Sequence, residues 1–284
     1  MNVNPVLDHL DIGDHVCCPV GSVEECWAVA AAGTSCGLHA GHKVLFFADD
    51  PDGLSGHLAA RVPGARRALT NRQLQVQAGA ASYAPQDTFD GDQMIDRIAS
   101  EAVLAQRQGF SALRVSGGLS AVLDGTGDAD ADAVVDYETR VNTLLSQEPI
   151  IAVCHYDLRT TTSEVWQRLV AAHPTTVVPT GKQAVSRLRG LRTRAGIRLA
   201  GEADLANHAA LAHLLADVTA APGTCLIDAT ELRFADARAL GCLLRTAESR
   251  GGRATVIACP AHVAECLRVL GADRIPQLTV RAAA

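Results

Sequence analysis

The stretch His15-Val16-Cys17-Cys18-Pro19-Val20-Gly21-Ser22-Val23-Glu24-Glu25 decides how the chain is read. Residues His15–Cys18 form a short, largely apolar run that predicts a strand, and Pro19 and Gly21 supply a turn after it. Ser22 then stands three residues before Glu25. At that spacing a serine hydroxyl caps the first helical turn and a glutamate answers from inside it. A helix should therefore run from Ser22 to about His39, with Gly41 as its stop. Strand, short turn, helix is the opening of a βα unit.

Working outward, the same alternation repeats. Lys43–Ala48, Leu113–Ser116 and Ile150–Tyr156 predict further strands. Asp90 and Gln93 open a second helix that is apolar at Ile95, Ile98 and Ala102 and stops at Gly109, and a third carries Val134, Tyr137, Val141 and Leu144 on one face. Strands alternating with helices predict a parallel sheet in an α/β fold.

Pro179-Thr180-Gly181 breaks that pattern. The expected organisation is a first domain over 1–180, a linker at 181–185 and a second domain over 186–284. The second predicts strands at Ser186–Arg194, Gly196–Ala200, Thr224–Asp228, Ala254–Cys259 and Leu278–Arg281. Helices fall at Leu205–Val218 and Ala237–Ser249, the latter apolar at Ala237, Leu240, Leu244 and Ala247, and a third runs from Pro260 to Gly271. That is a compact α/β unit.

Composition narrows the function classes. With 48% hydrophobic and 20% charged residues the chain has the make-up of a globular protein. No apolar run approaches the roughly 18 residues that span a bilayer, and Met1–His15 has no basic residue of a targeting signal, so a cytoplasmic protein without membrane contact is expected. The nine cysteines are odd in number and form no C-x-x-C pair, which reads as reduced thiols used as small hydrophobes. Residues 1–180 hold 11 basic against 22 acidic residues, whereas 181–198 hold six basic and no acidic ones. That basic stretch lacks aromatic residues and reads as a solvated linker or edge strand, so direct nucleic-acid binding is not expected.

Residues Gly201–Leu205, Leu226-Ile227-Asp228 and Leu232–Gly241, in that order, resemble a STAS domain of the anti-sigma factor antagonist type over nearly all of 186–284. The resemblance implies a partner, an anti-sigma factor or related kinase, met by the loop and helix start at Asp236, Ala237, Arg238 and Leu240. Asp236 precedes the helix, where its carboxylate can accept first-turn N–H groups. The family's phosphorylated serine position falls on Ala237 or Arg238, neither of which can carry phosphate, and Thr230 is a weaker alternative acceptor.

The first domain resembles the MEDS sensory family. The carrying residues are Asp14–Cys17, Gly41–Phe47, Gly109–Val115, Tyr137-Glu138, Cys154, Tyr156-Asp157 and His173-Pro174. That resemblance implies ligand sensing and a layout similar to RecA-type nucleotide-binding domains. The turn Pro19–Ser22 has one glycine and no Gly-Lys-Ser/Thr, and Leu113–Ser116 runs into Gly117-Gly118 without a metal-holding acid, so ATP hydrolysis is not expected. A crevice at the carboxyl ends of the strands remains. Its rim should receive Cys17, Cys18, Asp49, Asp50, Gly117, His155, Tyr156 and Asp157. The candidate small-molecule ligands' contacts are His15, Cys17, Tyr137, Glu138, Cys154, Tyr156 and Asp157.

Cys17, Cys18, Cys154, His15 and His155 also invite a metal centre, but alternation sends strand neighbours to opposite faces, so only part of the set can meet. No metal, cofactor or catalytic residue is expected. Asp128, Asp130 and Asp132 lack the glycine and glutamate of a calcium loop and read as an acidic surface loop. The expected function is a non-catalytic, sensor-linked anti-sigma factor antagonist that works by partner switching. The alternatives are a cysteine/histidine redox or metal sensor, or a small-molecule enzyme with Cys17 or Cys154 as nucleophile and His15 or His155 as base. The oligomeric state is open, a homodimer included.

Overall fold

The computed structural model describes residues 5–79, 82, 89–119, 123, 128–179 and 186–283. The expected linker at 181–185 lies outside the described residues. The chain starts with β1 (His15–Val20), α1 (Val23–His39), β2 (Lys43–Ala48), α2 (Pro51–Arg61), α3 (Ala65–Thr70) and β3 (Leu74–Ala78). It continues through α4 (Gly91–Arg107), β4 (Leu113–Gly118), α5 (Asp128–Gln147), β5 (Ile150–Asp157), α6 (Ser163–Ala172) and the two-residue β6 (Thr175–Thr176). The second unit is β7 (Ser186–Thr193), β8 (Gly196–Ala203), α7 (His208–Ala220), β9 (Cys225–Ala235), α8 (Ala237–Ser249), β10 (Thr255–Pro260), α9 (Ala261–Val269) and β11 (Leu278–Ala283).

The fold is α/β with a mostly parallel sheet in the order β11-β10-β9-β8-β7-β6-β1-β5-β4-β2-β3. Strands β6 to β3 of the first unit are mutually parallel, and β6 pairs antiparallel with β7, so one ladder runs through both units. In the first unit, Cys17 and Leu45 pack with α4 and α5, through Met94, Ile98, Val134 and Val141. On the opposite face Phe46 packs with Ala30 of α1 and Leu54 of α2. Burial on both faces explains why these strands are almost uniformly apolar.

In the second unit, burial alternates along β9 and β10. Leu211 of α7, Leu240 and Leu244 of α8 and Leu267 of α9 share one core with Ile197, Ile227 and Ile257. Gly201 makes the irregular pairing of β8 with its neighbours possible. Its φ of +102° belongs to glycine, and a Cβ there would stand 2.3 Å from the Arg187 carbonyl oxygen.

Several expectations need correction. Asp128–Asp132, expected as a surface loop, begins α5. Leu205–Asn207 is a 3-10 turn ahead of α7, and β9 continues to Ala235, past Asp228. Elements α2, α3, β3, α6 and β6 were not expected. The start of α2 carries a readable signal, with Asp50 accepting the Gly53 N–H at 2.9 Å and proline in the first turn. Gly53 and Gly56 inside it weaken the helical pattern.

Candidate functional site

Strand alternation places His15 and Cys17 of β1 on the same face as Cys154 and Tyr156 of β5, since Cys17 pairs with Cys154. Helix α5 crosses that face and delivers Tyr137, Glu138 and Asn142. Glu138 is fully buried and is the hub. Its Oε2 lies 3.1 Å from His15 Nε2, 3.5 Å from His173 Nε2 and 3.5 Å from Cys154 Sγ, while the Tyr156 hydroxyl donates to Oε1. Asn142 accepts from His15 Nδ1 at 2.9 Å and donates to the Ala172 carbonyl at 2.8 Å. His173, just after α6, holds the Leu169 carbonyl through Nδ1 at 2.7 Å.

Electrostatics follow from burial. Desolvation, reinforced by Glu138, pushes the thiols of Cys17 and Cys154 and the hydroxyl of Tyr156 well above their ordinary ranges. A thiol held neutral is a poor nucleophile. Burial would raise Glu138 too, but His173, His15 and Tyr156 outweigh it and hold the carboxyl below its usual value. Burial and the neighbouring His15 push His173 down to about 4.

Five of the seven expected ligand contacts (His15, Cys17, Glu138, Cys154 and Tyr156) thus meet in one enclosed cluster, away from the strand-end rim. Tyr137 is buried in the adjoining apolar core, edge-on to Phe89. Asp157 stands elsewhere. Together with Asp49, Asp50 and His155 it lines a separate pocket of about 170 Å³ at the carboxyl ends of β1, β2, β4 and β5. Trp27, Phe46 and Phe47 give it an aromatic lining, and Cys26 lines it too. His155 contacts Cys26 Sγ and Ser116 Oγ, each at 3.3 Å, and burial lowers it to about 4, leaving a neutral ring. Cys18, expected at this rim, is buried in the β1–α1 layer instead.

The turn that would hold a phosphate is closed by its own chain. Ser22 Oγ accepts the Glu25 N–H at 3.2 Å, and the Glu25 carboxylate takes the Gly21 N–H at 2.7 Å. That carboxylate occupies the donor an anion would need. The three aspartates nearby oppose phosphate further.

In the second unit Asp236 caps α8, accepting the Ala239 N–H at 2.7 Å. Ala237 and Arg238 are exposed, as are Phe234 (51%) on β9 and Leu205 (67%) in the 3-10 turn that follows β8, whose last residue Ala203 pairs with Ala235 of β9. Leu240, expected at the partner surface, is buried in the core and offers none; its position on the apolar stripe of α8 dictates this. Thr230, the alternative phosphate acceptor, donates its hydroxyl to Asp228 at 2.6 Å.

Comparison with known proteins agrees with this layout. Residues 14–174 match the family described as MEDS, MEthanogen/methylotroph, DcmR Sensory domain. The chain belongs to the MEDS family. Following the MEDS domain, residues 186–280 match the family described as Mlab, STAS domain. No curated protein matches the chain. Among solved structures it is similar to the flagellar accessory protein FlaH from Methanocaldococcus jannaschii, at 9% identity and a TM-score of 0.42, over 63% of this chain and 80% of that one. The chain is therefore a sensory MEDS domain joined to a STAS domain, a regulatory pairing. Among the described residues, no helix is long and apolar enough to cross a membrane.

Two members of the MEDS cluster were not among the expected ligand contacts, although His173 carries part of the resemblance. Asn142 stands four residues after Glu138, on the same helical face, and that spacing was a usable signal. His173 had the resemblance but no spacing to place it, because its position depends on how α6 packs.

Proposed function

We propose that the MEDS domain senses a small molecule in the strand-end pocket, and that the STAS domain binds an anti-sigma factor or related kinase through the surface around Asp236. Ligand and partner are coupled by partner switching, with no covalent step and without the usual phosphoserine. One observation carries the reading. Arg238, Ala237, Phe234 and Leu205 are all exposed, the first three within five residues of one another at the β9–α8 junction, and their apolar and cationic character suits an acidic partner surface.

The pocket favours a small neutral or cationic ligand with apolar bulk. Its aromatic lining and three aspartates, against Arg159 already paired to Asp157, disfavour anions. With the phosphate turn closed by Glu25 and the cluster thiols held neutral, a non-catalytic, cytoplasmic regulator fits better than an enzyme. Direct nucleic-acid contact plays no part in it.

The test is isothermal titration of the full chain against each anti-sigma factor encoded with it. Binding is expected to at least one, and Phe234→Ala combined with Arg238→Glu should weaken it at least tenfold with an unchanged fold. Failure to bind any of them would sink the proposal.

A further inference from the structure

Four side chains from separate parts of the MEDS domain aim at one point. His15 on β1, Glu138 on α5, Cys154 on β5 and His173 after α6 bring one ligating atom each to within 4.8 Å of one another. Glu138 Oε2 is 3.1 Å from His15 Nε2 and 3.5 Å from His173 Nε2, and Cys154 Sγ is 3.5 Å from both His15 Nε2 and Glu138 Oε2. A tetrahedral ion with bonds of about 2.0–2.2 Å to nitrogen and oxygen and about 2.3 Å to sulfur sets ligand-to-ligand edges of about 3.3–3.6 Å. Of the six edges, three lie in that range, and the His15–Glu138 edge at 3.1 Å is a few tenths of an ångström short of it. The two from His173 Nε2 to His15 Nε2 and Cys154 Sγ lie within 4.8 Å, so that His173 has to draw in as the ion binds.

Outer hydrogen bonds aim His15, His173 and Glu138 inward. The Asn142 amide nitrogen is committed to the Ala172 carbonyl, so its oxygen faces His15 and the ring must donate from Nδ1. His173 Nδ1 donates to the Leu169 carbonyl in the same way. Both rings then turn Nε2 toward the same carboxylate oxygen of Glu138. His173 Nε2, fully buried, makes no hydrogen bond among the described residues. Tyr156 occupies Oε1 and leaves Oε2 free for the centre. Such outer contacts, fixing the tautomer of each imidazole and the direction of the carboxylate, are what metal ligands require.

We infer that His15, Glu138, Cys154 and His173 form a binding site for one divalent transition ion, zinc foremost. The mixture of imidazole, thiolate and carboxylate suits zinc and disfavours magnesium or calcium, which take all-oxygen shells. Cys154 releases its proton to solvent as the ion binds. Because His173 stands two residues before β6, the ion ties β1, α5 and β5 to the strand that joins the two units. The inference does not depend on the proposed ligand or partner.

The experiment uses the full chain without an affinity tag, purified without chelator. Elemental analysis should find close to one zinc per chain. After stripping, cobalt(II) titration should give tetrahedral visible bands and a thiolate-to-cobalt charge-transfer band. Cys154→Ser should abolish the charge-transfer band, and Cys17→Ser, its strand neighbour outside the ligand set, should keep it. A folded wild-type chain that takes up neither zinc nor cobalt would overturn the inference, and so would a charge-transfer band that survives Cys154→Ser. If the variants fail to fold, as judged by circular dichroism, the wild-type stoichiometry and cobalt spectrum decide. No partner protein is involved, so a negative result here leaves the partner-switching reading to its own test.

Discussion

Thr143 of α5 and His213 of α7 meet across the boundary between the two units, Oγ1 to Nε2 at 3.0 Å. Burial lowers the His213 pKa below its ordinary value of 6.5, against the opposing pull of Asp217 and Asp136. The neutral ring is thus the form the interface accepts. Stability from this group is present above the unfolded value of 6.5 and is lost as pH falls through it toward the lower folded value. Other buried histidines act in the same direction, so the informative quantity is a difference. His213→Gln should lose less stability than wild type between neutral and mildly acidic pH in urea melts. Identical slopes would remove His213 from the account.

Asp236 caps α8 through its carboxylate, and that role is separable from partner binding. Asp236→Ala should lower stability by about 0.5–2 kcal/mol, and Asp236→Asn by much less, because asparagine caps nearly as well. Thermal melts measure both. Equal losses in the two variants would show that the charge, and not the cap, matters there.

Tyr156 gives Glu138 a hydrogen bond inside the MEDS cluster. Tyr156→Phe keeps the ring and removes the donor, leaving a buried carboxylate oxygen short of a partner. The expected cost is about 1.5–3 kcal/mol. Denaturant unfolding of the variant checks this, and a loss under half a kilocalorie would mean that water or a rearranged histidine replaces the hydroxyl.

The cysteines should separate sharply under alkylation of the native protein. Cys266 is exposed, whereas Cys17, Cys18, Cys225, Cys242 and Cys259 are buried. Burial, with Asp49 and Asp157, also pushes Cys26 up to about 12. Mass spectrometry after brief iodoacetamide treatment should find Cys266 labelled first and Cys17 and Cys18 last. Early labelling of Cys17 would mean that the cluster opens readily.

Periodicity revealed much of this, and its failures have physical causes. Strand alternation puts His15 with Cys17, and Cys154 with Tyr156, on one face within each strand. The register that brings the two pairs together is set by the β1–β5 ladder and was not legible, so these residues were singled out by the family resemblance. The same logic on α8 placed Leu240 with Leu244 and Ala247 on an apolar stripe, so its expected partner role conflicted with its own pattern. His173 could not be placed, since its position follows from the packing of a helix that the sequence did not announce. The short β6 escaped for a related reason: two residues carry no period, and only their neighbours β1 and β7 define them.

That two-residue strand has a practical consequence for anyone dividing the protein. Thr175 and Thr176 cover part of the β7 edge, with the Leu188 N–H held by the Pro174 carbonyl at 3.0 Å. Cutting the chain ahead of Ser186 would strip that cover and leave amide groups reaching into water, ready to recruit a like strand. An isolated STAS fragment is therefore poised to self-associate in ways the intact chain prevents.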